Sequence, residues 1–95
     1  MKQPNLDLGI KKLIVALTLL MVISTAFYKF VEGWSLIDAL YFTVSTISTV
    51  GYGDLVPSTA VSKIFTLIML LTGVTLLFTL FGIISVNYAK KHSKK

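Results

Sequence analysis

The sequence predicts an all-α membrane protein in which two membrane-spanning helices flank a short re-entrant helix and loop. Three observations predict this fold class. The 95-residue chain is 55% hydrophobic, with a mean hydropathy of +0.83, which is too apolar for a soluble domain of this size. Two long stretches, 13–28 and 64–89, contain no charged residue. Between them, the apolar segment 36–47 is too short to cross a bilayer, because a spanning helix needs ~20 residues.

The charge distribution indicates the topology and excludes other classes of protein. The net charge is +5, and seven of the nine lysines lie in the terminal segments 1–12 and 90–95. By the positive-inside rule, we expect a multi-pass protein of the cell membrane with both termini in the cytoplasm. The sequence has no basic face interleaved with aromatic residues, so it does not predict nucleic-acid binding. The chain has no cysteine for disulfides or thiolate sites, no arginine for a voltage sensor, and no room for a regulatory domain.

The outer helix is predicted over 13–31. The uncharged part of this helix is short for a membrane span. The side chain of Lys29 can reach the membrane surface with its charged end, so the span can continue to residue 31. Pro4 and Gly9 argue against a continuation of the helix into the segment 1–12, which is therefore predicted as a cytoplasmic N-terminal segment.

Two further features accompany the outer helix. A secretory signal peptide is an alternative interpretation, because Ser24-Thr25-Ala26 loosely matches a cleavage site after an apolar run. Several aromatic side chains follow at the end of the helix and are expected to form a belt at the membrane surface. They are Phe27, Tyr28, Phe30 and Trp34.

A short helix is predicted over 36–47. Ser35 is a candidate N-cap, with Asp38 three residues later in a pattern that resembles a capping box. The helix is about 18 Å long at ~1.5 Å per residue, so it enters the membrane without crossing it. Irregular backbone at that depth must be buried in protein or line water. One chain of this size cannot bury it, so several chains are expected to assemble.

The loop after this helix, Thr49-Val50-Gly51-Tyr52-Gly53, is the candidate functional site, with Asp54 directly behind it. Two glycines, two residues apart, allow backbone angles that could turn successive carbonyls to one side. The Thr49 hydroxyl adds another acceptor. Oxygen atoms collected in this way are ligands for a hard cation.

Thr46 followed by Thr49-Val50-Gly51-Tyr52-Gly53-Asp54 resembles the potassium-channel signature. The order of outer helix, pore helix, filter and inner helix over 13–89 resembles the bacterial two-helix cation channels. This resemblance implies a homotetramer in the lipid bilayer that conducts K⁺ passively through rings of oxygen atoms from residues 49–53.

The resemblance also implies roles for residues around the filter. In the family, the aspartate after the filter bonds an aromatic residue of the pore helix, which implies a pair of Asp54 and Tyr41. Ser45 stands where many members carry an acidic residue or valine behind the filter, and its side chain is the candidate support of the filter at that position. Other segments are similar to relatives that also conduct Na⁺ and have aspartate at the position of Tyr52. A less selective Na⁺/K⁺ channel of the same fold is therefore the alternative function.

The inner helix is predicted over 64–89, followed by a frayed basic tail at 90–95. Gly73 lies at the family's hinge position, and a glycine there could equally be a close-packing site. Phe78 and Phe81 lie below it on the helix. Their rings could narrow the inner mouth enough to exclude water and so act as a gate.

Two alternatives come from other classes of protein. The residues Gly51-Tyr52-Gly53-Asp54 fit the G-x-G-D pattern of intramembrane aspartyl proteases, whose mechanism needs two carboxylates that share a proton. Neither apolar span contains a second carboxylate, so we do not expect an enzyme. A structural hairpin without transport activity would not need Thr49 or the paired glycines, and ion flux would distinguish it from a channel.

Overall fold

The computed structural model describes residues 4–93, with side chains described from residue 8 to residue 90. Within this part of the chain the secondary structure consists of three helices: α1 (Pro4–Val31), α2 (Leu36–Ile47) and α3 (Ala60–Ser93). They form a rod with extents of 55 × 21 × 21 Å. Both long helices contain apolar segments long enough to cross a membrane, Leu8–Val31 and Ala60–Lys90, and α2 does not. The predicted all-α fold class is confirmed.

The range of α2 and the end of α1 at Val31 are those predicted, but α1 begins earlier than predicted and α3 is longer at both of its ends. The prediction of a non-helical segment before residue 13 is wrong, because α1 begins at Pro4. Proline is well suited to the first helical position, where its fixed φ fits the helix and its missing N–H group would have no intrahelical partner. Its presence therefore marked the start of the helix rather than a break.

The inner helix begins earlier than the predicted residue 64 and ends later than residue 89. Thr59 is its N-terminal cap, since Thr59 Oγ1 accepts a hydrogen bond from the Ser62 amide at 3.0 Å. Lys63 therefore lies in the first turn of α3 rather than before the helix. The predicted frayed tail is also wrong as far as Ser93, where α3 ends, and residues 94–95 lie outside the described residues.

A carboxylate ties the end of α1 to the beginning of α3. The chain leaves α1 through Gly33, whose φ of +75° is readily adopted by glycine. Just before it, Glu32 accepts hydrogen bonds from the Ser58 amide at 2.9 Å and the Ser58 hydroxyl at 2.8 Å. The Thr59 amide lies 3.4 Å from the same carboxylate. The Ser58 amide foremost, followed by the hydroxyls of Ser62 and Ser58, lowers the pKa of Glu32 to about 2.

We expect Glu32→Gln to lower the melting temperature of the protein at neutral pH. The folded-state pKa lies below the ordinary value of 4.5, so the stabilisation is fully present above that value and is lost as pH falls towards 2. Thermal melting between pH 7 and pH 2 should show the difference between wild type and variant shrinking across this window. Asp38→Asn, which removes another carboxylate and leaves Glu32 in place, is the control. A difference between wild type and Glu32→Gln that stays constant with pH would contradict the assignment.

Aromatic side chains from all three helices form the core next to this junction. Tyr28 is fully buried. Its ring lies 4.9 Å from the Phe42 ring and 5.4 Å from the Trp34 ring, and Phe27 stacks on Phe65 at 4.0 Å. Three of the four predicted belt residues therefore pack between helices, and their position at a membrane surface stays a prediction. Phe30 is the exception, with 80% of its side chain exposed.

A buried hydrogen bond joins the two long helices inside this core. Tyr28 Oη is bonded to Thr66 Oγ1, and the Thr66 hydroxyl donates to the Ser62 carbonyl at 2.7 Å. Because the single Thr66 proton is used in that second bond, Tyr28 is the donor in the first. The tyrosine on α1 and the threonine on α3 thus fix the rotation of the helices relative to each other.

Candidate cation-binding loop

The C-terminal end of α2 holds the loop 49–53 by its backbone. The Ser45 carbonyl accepts hydrogen bonds from the Val50 amide at 3.0 Å and from the Gly51 amide at 3.1 Å. Carbonyls in the last turn of a helix have no intrahelical partner, so they are available to such donors. Sequence reasoning assigned support of the loop to Ser45 through its side chain. The structure shows its main-chain oxygen in contact with the loop.

These two bonds determine which way the neighbouring carbonyls point. Every peptide bond in the described chain is trans, so each N–H is antiparallel to the carbonyl of the same peptide unit. The amides of Val50 and Gly51 both point at Ser45. The carbonyls of Thr49 and Val50, which share those peptide units, therefore point away from α2, and both face the same side.

The loop also contains several residues with positive φ angles. Thr49, Gly51 and Gly53 have positive φ values of 66°, 56° and 84°, whereas Val50 and Tyr52 between them do not. Glycine reaches such angles without steric cost, and the positive φ predicted for the two glycines is present at Gly51 and Gly53. The direction of the carbonyls beyond Val50 stays a prediction.

Thr49 is the loop residue whose conformation sequence reasoning missed. A positive φ is strained for a β-branched residue, and such a conformation costs on the order of 1–3 kcal/mol. Its hydroxyl donates to the Ser48 carbonyl at 2.5 Å, which leaves the lone pairs of Oγ1 free to accept or to bind a cation. No local sequence signal reveals this strain, since threonine ordinarily avoids the left-handed region.

A cluster of three side chains stands behind the loop. Tyr41 on α2 donates its hydroxyl proton to Asp54 Oδ2 at 3.0 Å. The Tyr41 ring also stacks on the Tyr52 ring, with centroids 5.9 Å apart and planes 9° from parallel. Residues on both sides of Gly53 are thereby connected to α2.

The sequence of the chain matches a known protein family over most of its length. Residues 15–90 match a family described as "Ion channel", and this match includes most of α1, all of α2 and the loop, and α3 as far as Lys90. The chain belongs to this ion channel family. Ion channels are not enzymes, so the expectation that the chain is not an enzyme is confirmed, and the comparisons do not support the protease alternative.

Curated relatives of this ion channel include several potassium channels. Potassium channel protein 1 of Methanocaldococcus jannaschii is 37% identical over 91 residues, which are 96% of this chain and 26% of that protein. Two-pore potassium channel 4 of Arabidopsis thaliana is 56% identical over 41 residues, 43% of this chain and 14% of that protein. The chain spans about a quarter or less of the length of these relatives.

Two solved structures are similar to the ion channel over most of its length. The pore domain of a voltage-gated K⁺ channel, in a closed state in lipid membranes, has a TM-score of 0.71 and 30% identity, and the match covers 92% of this chain and 99% of that one. A calcium-activated cation channel from Tsukamurella paurometabola also has a TM-score of 0.71, with 32% identity over 86% of this chain and 80% of that one. Together with its two apolar helices, these findings make the ion channel a multi-pass membrane protein.

The structure separates the candidate gating residues of the ion channel from one another. Gly73 is buried, and a Cβ atom built on it would lie 2.8 Å from Ile47 Cγ1 and 3.2 Å from Leu20 Cδ2. This glycine is therefore a close-packing site between all three helices. Phe78 and Phe81 are 61% and 55% exposed, on parts of α3 that the rest of the chain does not cover.

We expect Tyr41→Phe to weaken the support of the loop in this ion channel. The substitution removes the hydrogen bond to Asp54 and keeps the ring that stacks on Tyr52. If the bond holds the loop, the variant should lose more thermal stability when K⁺ is replaced by Na⁺ than the wild type does. Tyr88→Phe removes a hydroxyl far from the loop and is the matched control. Equal effects of the two ions on the Tyr41→Phe variant and the wild type would contradict this role.

Proposed function

We propose that the chain is the pore-forming subunit of a potassium-selective channel that conducts K⁺ passively through the loop 49–53. The observation that carries the proposal is the pair of hydrogen bonds that the backbone amides of Val50 and Gly51 donate to the Ser45 carbonyl. This arrangement aims the carbonyls of Thr49 and Val50 away from α2, where they can replace the water around a cation. The potassium channels among its relatives agree with this function.

A homotetramer completes the site in this proposal. In the single chain, Val50 and Tyr52 are 53% and 67% exposed, and the other residues of the loop 49–53 are exposed as well. Such backbone is not stable against lipid and must be enclosed by protein or line water. Four copies around one axis would place their loops face to face and form stacked rings of carbonyl oxygens.

The same assembly suits the electrostatics of α2. The helix ends at Ile47, directly before the loop, so its C-terminal end and partial negative charge lie below the filter. Four such ends pointing at the axis favour a cation inside the membrane. By the positive-inside rule, the lysine distribution supports an orientation with both termini in the cytoplasm and the filter on the outer side of the cell membrane.

Ion flux in reconstituted liposomes tests the function. Purified protein should carry K⁺ down a gradient, with Na⁺ flux at least an order of magnitude smaller, and cross-linking in mild detergent should stop at four chains. Comparable K⁺ and Na⁺ fluxes would instead favour the less selective cation channel, in line with the cation channel among the similar structures. Absence of flux from properly assembled protein would leave a structural hairpin as the better interpretation.

Gating is a further part of the proposal, and it concerns the two exposed phenylalanines of α3. Phe78 lies on the side of α3 opposite Gly73 and Met69, the buried residues that pack against the rest of the chain. It is thus free to face the axis of a tetramer. A ring of phenylalanines at the inner mouth could stop ions by excluding water.

We expect Phe78→Ala to raise single-channel current or open probability in planar bilayers. Removing the four rings would widen the inner mouth and let water remain there. Phe81→Ala is the comparison, since it should have that effect only if α3 is rotated relative to the axis. If neither variant changes current or open probability, the inner mouth is not the gate.

A further inference from the structure

A cavity of about 210 Å³ lies between the end of α2 and the segment that follows the loop 49–53. Phe42, Ser45 and Thr46 form its wall on α2, and residues 53–57 line the other side. We call this space the rear cavity. The carbonyls of Thr49 and Val50 point away from α2, so the rear cavity lies behind the loop and outside the proposed conduction path.

Three side-chain oxygens line the rear cavity without a hydrogen-bond partner in the part of the chain that the structure describes. The Ser45 side chain is 9% exposed, yet its hydroxyl is unpaired, and so is the hydroxyl of Thr46. Asp54 accepts the Tyr41 hydroxyl proton with Oδ2 at 3.0 Å, which leaves Oδ1 unpaired. Buried polar atoms in native proteins nearly always have a partner, so these oxygens indicate a ligand.

The chemistry of the walls defines the ligand. A carboxylate oxygen only accepts hydrogen bonds, and the two hydroxyls can accept as well, so the ligand needs several donors and a positive charge. The Phe42 ring and the side chains of Leu55, Val56 and Pro57 make the rest of the lining apolar. A guanidinium group combines a planar, weakly hydrated cation with five N–H donors, and it stacks well on aromatic rings.

Size and access narrow this class further. The volume of the rear cavity is below the ~300–1,000 Å³ of sites for drug-sized molecules, so the ligand has few heavy atoms. Gly53, Asp54 and Val56 are exposed, which opens the cavity to solvent at the loop end of the molecule. The chain contains no arginine, so it cannot supply a guanidinium of its own.

We propose that the rear cavity binds a small alkylguanidinium compound. Its N–H groups donate to Asp54 Oδ1 and to the hydroxyls of Ser45 and Thr46, and its plane lies against the Phe42 ring. Hydrogen bonds between a charged donor and a carboxylate are about twice as strong as those between neutral groups, so Asp54 is the main contact.

A bare metal ion is a weaker candidate for the occupant. The rear cavity has room for about seven water molecules at ~30 Å³ each, so a single ion would leave most of it to water. An alkylguanidinium fills the apolar part of the cavity as well as the polar part.

Binding of methylguanidinium to the full chain in mild detergent, at a fixed K⁺ concentration, tests the proposal. Saturation-transfer NMR and the rise in melting temperature give the affinity. Methylurea has a similar shape without the charge, and tetramethylammonium has the charge without N–H donors, so neither should bind measurably. Binding of methylurea as tight as that of methylguanidinium would overturn the proposal. Absence of methylguanidinium binding would mean that the cavity holds only water and would also overturn it.

Three variants locate the ligand. Ser45→Ala and the nearly isosteric Thr46→Val each remove one hydroxyl from the cavity and should weaken methylguanidinium binding about tenfold. Ser48→Ala is the matched control, because the Ser48 hydroxyl lies outside the cavity and donates to the Val44 carbonyl at 2.7 Å. It should leave the affinity unchanged. Equal affinities of all three variants would overturn the proposal.

Competition with K⁺ separates the rear cavity from the front of the loop. A tenfold rise in K⁺ concentration should leave methylguanidinium binding unchanged, because the cavity is on the side of the loop away from the carbonyls. A tenfold loss of affinity would place the cation among those carbonyls and overturn the proposal. Binding is measured without ion flux, so its outcome is independent of the proposed channel function.

Discussion

Replacing Tyr52 with aspartate is expected to lower the K⁺ over Na⁺ permeability ratio by on the order of tenfold or more while K⁺ conduction persists. The Tyr52 ring stacks on Tyr41, which is itself bonded to Asp54 behind the loop. Aspartate removes that stacking contact and adds a negative charge two residues before Asp54. The loop would then lose its connection to α2 at this level, and its carbonyls could adjust to a smaller ion.

Bi-ionic reversal potentials in planar bilayers measure this change. Tyr52→Phe keeps the ring and is the matched control, so it should retain the wild-type ratio. If Tyr52→Asp also retains it, the stacked pair does not set the width of the loop, and selectivity depends on residues 49–51. If Tyr52→Phe loses selectivity to the same extent, the hydroxyl group and not the ring is responsible.

The helices of this protein could be predicted largely because their signals are local. Ser35 accepts a hydrogen bond from the Asp38 amide at 3.1 Å, as half of the predicted capping pattern requires. The chain turns at Gly33, and glycine is the residue type that most readily adopts the positive φ found there. The early start of α3 has an equally local signal in Thr59, whereas the predicted range starts at residue 64, directly after the charge of Lys63. A single lysine near a membrane surface can extend away from the apolar region without ending a helix.

The geometry of the loop could be predicted only in part. Its glycines indicated positive φ values, and the structure has them at Gly51 and Gly53. The orientation of the carbonyls depends on a different fact, the contact of the Ser45 oxygen with two amides. That contact involves main-chain atoms, which are the same for every residue type, so the identity of the side chain at this position carries no signal for it.

The role of Gly73 could not be predicted from the sequence, for a different reason. A glycine in an apolar helix is compatible with a hinge or with close packing, and the sequence left both possibilities open. The decision depends on Ile47, which lies 26 residues away in the sequence and presses its side chain against the glycine. Ile47 ends α2 directly before the loop, so the contact joins the inner helix to the base of the filter.

We expect Gly73→Ala to destabilise the protein by about 1 kcal/mol. Alanine favours a helix over glycine by ~1 kcal/mol, but overpacking a buried site typically costs ~1–3 kcal/mol. The new Cβ would lie 2.8 Å from Ile47 Cγ1, a distance at which one of the two residues must move. Thermal melting in mild detergent measures the loss. Gly82→Ala is the control, because a Cβ there meets nothing within 4 Å, and it should be neutral or stabilising.

Ile47→Ala in the Gly73→Ala background distinguishes packing from hinge motion. Alone, Ile47→Ala removes a side chain that is 4% exposed and should cost ~2–5 kcal/mol. Together, the added methyl group occupies part of the space left by the isoleucine, so the double variant should be more stable than the sum of the single effects implies. If the clash between the Cβ added at position 73 and Ile47 also lowers the open probability of Gly73→Ala, the double variant should restore it. Additive losses, with gating still impaired in the double variant, would mean that Gly73 acts through backbone flexibility and not through its contact with Ile47.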